Sequence, residues 1–117
     1  MEESFMKHIH YTDVDAQIPQ EEGVKDTTIR WLIDKKDGAP NFAMRFFEIK
    51  AGGNTPLHQH EWEHEVFIIS GSGTMNKKDS QVKFKSGDVF YVKPNEWHQF
   101  INDSDETLRF LCLIPNN

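Results

Sequence analysis

Cysteine is almost absent: Cys112 stands alone among 117 residues. No disulfide can therefore form within the chain, and no cysteine-built zinc cluster is available. Long apolar runs are missing as well. Nothing approaches the roughly 18 residues a membrane span needs, and the opening "MEESFMKHIH" lacks the apolar centre of an export signal. No membrane partner is expected, and the expected location is cytoplasmic. Positive charge is in the minority, with 13 Lys and Arg against 19 Asp and Glu and a net charge of −6. That balance disfavours nucleic acid and anionic lipid surfaces as partners. Helical periodicity is scarce too, and no segment reads as a DNA-binding helix-turn-helix. An apolar content of 37% with 27% charged residues fits an ordered globular chain, expected to be one domain over 1–117.

What the sequence has instead is short runs of β-branched and aromatic residues separated by turn chemistry. Strands are expected near 7–11, 24–33, 42–50, 57–60, 64–70, 73–77, 81–84, 88–92, 97–102 and 107–114. Clusters such as "KKDGAPN", "SGSG", "KSGD" and "NDSDE" separate them. Strands this short and this regular predict an all-β sandwich or barrel. Residues 12–23, "TDVDAQIPQEEG", read as an irregular loop. In "NFAMRFFEI" the alternate sets Phe42, Met44, Phe46, Glu48 and Ala43, Arg45, Phe47, Ile49 are both largely apolar, so this strand should be covered on both faces. The second cover could come from another subunit.

The densest chemistry lies in "HQHEWEHEVF", residues 58–67. His58 and His60 are two apart on a short strand and project to one side. His64 follows four residues later, in phase if "EWE" keeps the register, and His98 opens another strand in "NEWHQFIN". Imidazole nitrogens bind Zn, Cu, Fe and Ni, and two strands could bring these four around an ion. Ordinary surface histidines are the plain alternative. His8 and His10 form a similar pair without framing glycines or a third ligand nearby, and read as strand or tail.

The surroundings of the second cluster distinguish it. "GGNTPLHQHEWEHEVFIISG", residues 52–71, resembles the first motif of the cupin superfamily, G-x5-H-x-H-x3,4-E-x6-G. "GDVFYVKPNEWHQFIN", residues 87–102, resembles the second, G-x5-P-x-G-x2-H-x3-N, with Gly87, His98 and Asn102 in place. Lys93 and Asn95 depart from it, although Pro94 and the left-handed tolerance of Asn95 should still make the turn. The resemblance implies a double-stranded β-helix (jelly-roll) barrel of the small conserved-barrel, cupin 2 type. Such proteins often form homodimers.

The same resemblance implies a metal site. The family's usual glutamate falls three or four residues after the second histidine, here on His64 or on Glu65. Strand parity allows either, but the six-residue interval to Gly71 selects His64. The expected ligands are therefore His58, His60, His64 and His98, holding one divalent transition-metal ion per chain. Manganese or iron is favoured, with copper, nickel or zinc possible. Four neutral imidazoles leave the ion's charge uncompensated and two positions open, which should attract hydroxide, a carboxylate, an enolate or superoxide. Glu48, Gln59, Gln99 and Asn102 are candidates to orient the rings. Trp62 and Trp97 either floor the pocket mouth or pack its rim. Cys112 should face an apolar layer, near the metal if that layer is the barrel interior, and Arg45 either pairs with an acid or anchors an anionic substrate.

Cupins include dioxygenases, isomerases, decarboxylases, epimerases, storage proteins and sugar sensors, so only the site can give function. A histidine-rich site in an apolar barrel predicts a metal-dependent enzyme on a small organic molecule, foremost an oxygen-using, dioxygenase-like oxidoreductase. The alternatives are a non-catalytic metal- or small-molecule-binding module and a metal-dependent isomerase or lyase.

Overall fold

Turn chemistry cuts the chain into eight antiparallel strands, seen in a computed structural model that describes residues 6–116. These are β1 (Lys25–Ile33), β2 (Phe42–Asn54), β3 (His64–Ser70), β4 (Ser72–Asn76), β5 (Gln81–Lys85), β6 (Val89–Val92), β7 (Gln99–Ile101) and β8 (Leu108–Pro115). Hydrogen bonding orders them β5-β4-β7-β2-β8-β3-β6, with β1 paired to β2. This sheet curls into the expected jelly-roll barrel. Among the described residues the only helical segments are two 3-10 turns, Tyr11–Asp13 and Lys35–Asp37.

Alternation decides what the barrel encloses. On β3, His64, Val66 and Ile68 are buried while Glu65, Phe67 and Ile69 are exposed. Neighbouring strands stack in register into layers. Cys112 of β8 stands between Arg45 of β2 and Val66 of β3, and Phe110 likewise stands between Phe47 and Ile68. Ile49 and Leu108 make the next pair. Phe110 stacks on Phe47 at 4.9 Å and on Phe100 at 4.4 Å between ring centroids, and truncating such a buried ring to alanine costs about 3–5 kcal/mol. The apolar core fills one end of the barrel, which leaves the other end for the histidines.

The inner face of β2 is covered and its outer face only in part, since Phe46 is buried but Phe42 is exposed. Part of the outer cover is the chain's own, because Tyr11 lies on buried Phe46 at 4.6 Å. The strand expected at 7–11 does not form. The His10 ring nitrogen accepts from the Thr12 N–H and the Asp13 carboxylate accepts from the His10 N–H. This reciprocal cap starts a 3-10 turn in place of a strand. The strand expected at 57–60 is reduced to a single bridge between His58 and His98. Pro56, just before it, has no N–H to extend a ladder. Gly71 explains one framing position: its φ is +93°, and a Cβ there would stand 2.8 Å from the Thr107 carbonyl oxygen. Only glycine fits both conditions.

Candidate metal centre

Four imidazoles meet at the open end of the barrel, carried by two segments far apart in sequence. His58 and His98 sit opposite one another because each donates its backbone N–H to the other's carbonyl, at 3.2 and 3.0 Å. The turn before His98 closes through Asn95, which takes the left-handed conformation (φ 66°) and donates its backbone N–H to the His60 carbonyl. Asparagine thus serves where the motif has glycine. The His58 ring lies 4.1 Å from that of His60 and 4.6 Å from that of His98. Ligand nitrogens of His58, His60 and His98 all fall within 4.8 Å of one another. His64 stands at the edge of this trio, its ring 4.7 Å from His98 and 5.2 Å from His60.

The partners of the rings fix which nitrogen faces inward. His98 Nδ1 lies 2.9 Å from the Glu96 carbonyl oxygen, which only accepts, so Nδ1 carries the proton and Nε2 is bare. His58 Nδ1 faces the Glu21 carboxylate at 2.8 Å, with the same result. His64 Nδ1 is 3.3 Å from Cys112 Sγ and 3.3 Å from Arg45 Nη2, while Arg45 Nη2 is 2.9 Å from that sulfur. A protonated Nδ1 on His64 lets both N–H groups point at sulfur and again leaves Nε2 bare. The Nε2 atoms of His64 and His98 are buried without any hydrogen-bond partner. Orphaned buried acceptors are costly, and a cation between them would satisfy both.

Protonation follows the same logic. Burial, with the neighbouring imidazoles adding to it, lowers His60 to about 4 and His64 to about 2. Burial also holds His98 below the usual range. These rings are neutral at pH 7, the form that ligates metal. The residues present therefore fit a transition-metal ion of the imidazole-binding kind.

The cavity above the histidines encloses about 240 Å³, and its walls include Trp31, Trp62 and Phe100. Trp62 stacks on His60 at 4.4 Å with nearly parallel planes. Trp97 instead packs under Lys78, 4.2 Å from its ammonium. Cys112 does face the interior beside His64, and burial pushes its thiol upward.

The residues expected to orient the rings have other partners. Glu48 pairs with Arg109 at 2.8 Å, and Gln99 bonds the Thr55 carbonyl and Asn76. Asn102, fully buried, donates to the Ile49 and Glu106 carbonyls. Its place in the motif reflects turn architecture, not ligation. Gln59, an exposed side chain, makes no hydrogen bond to a ring. The group that does is Glu21, from the loop at 12–23 that carried no signal in the sequence.

The family model described as "Cupin domain" matches residues 45–114. A polyketide cyclase, RemF from Streptomyces resistomycificus, is 39% identical in a solved structure covering 97% of this chain and 81% of its own, with a TM-score of 0.91. The 1-methylthio-D-xylulose 5-phosphate methylsulfurylase of Rhodospirillum rubrum is 28% identical over 94% of this chain and 71% of its own length. An oxalate-binding protein of Thermotoga maritima is 33% identical over 68% of each.

Proposed function

The chain belongs to the cupin family, and from that premise we propose that it is a metal-dependent enzyme of small organic anions. His58, His60, His64 and His98 are the proposed ligands of one divalent ion, manganese or iron before copper, nickel or zinc. The observation that carries this reading is the pair of buried, partnerless Nε2 atoms on His64 and His98 beside the close trio of His58, His60 and His98. An ion held there would supply a Lewis acid with open positions that stabilises negative charge developing on a substrate oxygen.

The protein's own groups prepare the rest. Glu21 holds the His58 proton on Nδ1, and the Glu96 carbonyl holds that of His98. Trp62 covers one face of His60, and aromatic walls exclude water from the substrate. Among the described residues Glu21 is the only carboxylate lining the cavity, and so the side chain placed to accept a substrate proton at its mouth.

The similar proteins bear names of a cyclase, a methylsulfurylase and an oxalate-binding protein. They favour non-oxidative chemistry of the lyase or cyclase kind over the oxygen-using oxidoreductase, which remains the second reading. Elemental analysis of protein purified without added metal should find about one transition-metal ion per chain. Turnover of a panel of aromatic and polyketo acids should then survive anaerobic conditions and disappear in His98→Ala. Turnover that needs oxygen would move the assignment to the oxidoreductase. Tight binding without turnover would leave a binding module.

A further inference from the structure

Arg45 is a permanent charge in an unusual place. It follows Ala43 inward along β2 and occupies the layer of Cys112 and Val66, between the histidines and the apolar core. Its guanidinium lies 5.0 Å from the centroid of Phe47 and 5.4 Å from that of Trp31. Ring faces offer no conventional hydrogen-bond acceptor to its N–H groups. Nη2 reaches only Cys112 Sγ and the His64 ring, and Nε is buried with no partner. Among the described residues no carboxylate pairs with it, although Lys7, Lys83 and Arg109 all have one. A half-buried charge in an aromatic surround favours an opposite charge beside it. The side chain nevertheless lines the cavity that the histidines open into.

We propose that Arg45 is the substrate-anchoring residue at the cavity floor, and that the substrate is a planar organic carboxylate, aromatic or enolic. The inference rests on the reading of the cavity as a substrate site, and it adds the substrate's chemical class. A guanidinium fork matches a carboxylate with two parallel hydrogen bonds. Trp31, Trp62 and Phe100 offer flat faces to a planar skeleton. The cavity of about 240 Å³, open at its mouth, has room for a substituted single ring. Arg45 meets His64 on its Nδ1 edge, away from the bare Nε2. The carboxylate it binds is therefore held apart from the atom that reacts, and serves position.

Benzoate and its neutral isostere benzamide are the probes, read by tryptophan fluorescence, since Trp31 and Trp62 line the cavity, and by calorimetry on metal-loaded and metal-stripped protein. Benzoate should bind both forms more tightly than benzamide, and Arg45→Gln should weaken benzoate by about tenfold or more with benzamide unchanged. Arg45→Lys, which keeps the charge but loses the fork, should recover part of that loss. Affinities are compared at matched metal loading, because Arg45 also touches His64. Equal affinities of wild-type protein for benzoate and benzamide would overturn the proposal, whether or not a variant folds. A protein that binds no metal yet keeps the benzoate preference would retain the Arg45 site and refute only the metal reading.

Discussion

His64 and Glu65 are neighbours on β3 that face opposite ways, one buried among the rings and the other exposed on the outer wall. His64→Ala should lower ion affinity beyond the roughly hundredfold limit of changes one contact removed from a ligand. Glu65→Gln should leave it unchanged. Inductively coupled plasma analysis of the two variants tests this, and equal losses would show that Glu65 ligates. The inward place of His64 was legible from its fixed distance to Gly71, since strand parity alone allowed either residue. What orients the rings was not legible. The His98 partner is a main-chain carbonyl, which leaves no trace in side-chain identity. The His64 partners, Arg45 and Cys112, come from two other strands that only the register of β2 and β8 brings alongside.

Among elements, the strands that pair over several residues were readable, since β3 and β8 carry the period-two burial that a closed wall imposes and β2 is apolar on both faces. The segment at 57–60 has the residues of a strand but not its ladder, because one bridge and a proline hold it. The loop at 12–23 was opaque for a different reason: its contribution is one of two adjacent glutamates, Glu21 and Glu22, in a polar stretch without a motif. Glu21→Gln preserves the shape of that side chain and removes the charge held against His58. It should weaken ion binding by about tenfold in a chelator competition titration. The stability of the metal-free protein should change by no more than about 0.5 kcal/mol, as for other exposed substitutions. An unchanged affinity would separate the loop from the site.

For the whole molecule, stability should depend on pH through the buried rings. His60 and His64 hold fewer protons folded than unfolded below the ordinary value of 6.5. Their contribution is intact above that value and is lost as pH falls toward the folded values, about 4 and about 2. The loss reaches at most about 1.4 kcal/mol per pH unit for buried His64, and less for half-buried His60, where solvent screens the charge. Urea unfolding of metal-free protein at pH 8 and pH 5 should show a lower midpoint in acid. The outer wall of β3 and β6 exposes Phe67, Ile69, Val89 and Tyr91, and a groove of about 410 Å³ on the same wall is lined by Met44, Leu111 and Leu113. An exposed apolar face of this kind suits a two-fold contact with a second copy. Light scattering should give twice 13.7 kDa, and Phe67→Glu should return the value to that of one chain. A monomer at micromolar concentration would refute the dimer.

The bond from Glu21 to His58 has a consequence for time as well as affinity. Its loop is fixed at one end by paired backbone hydrogen bonds between Gln17 and Ile29, each 2.8 Å, and at the other by Asn54 Nδ2 on the Gly23 carbonyl at 2.6 Å. Residues 18–22 are thus a short span whose order and the site's occupancy bias each other equally, as linkage demands. Stiffening that span slows escape from the barrel, and filling the barrel quiets the span. Amide hydrogens of residues 18–22 should exchange more slowly when the site is loaded. A substitution at Pro19, which frees the backbone two residues before Glu21, becomes a control on residence time.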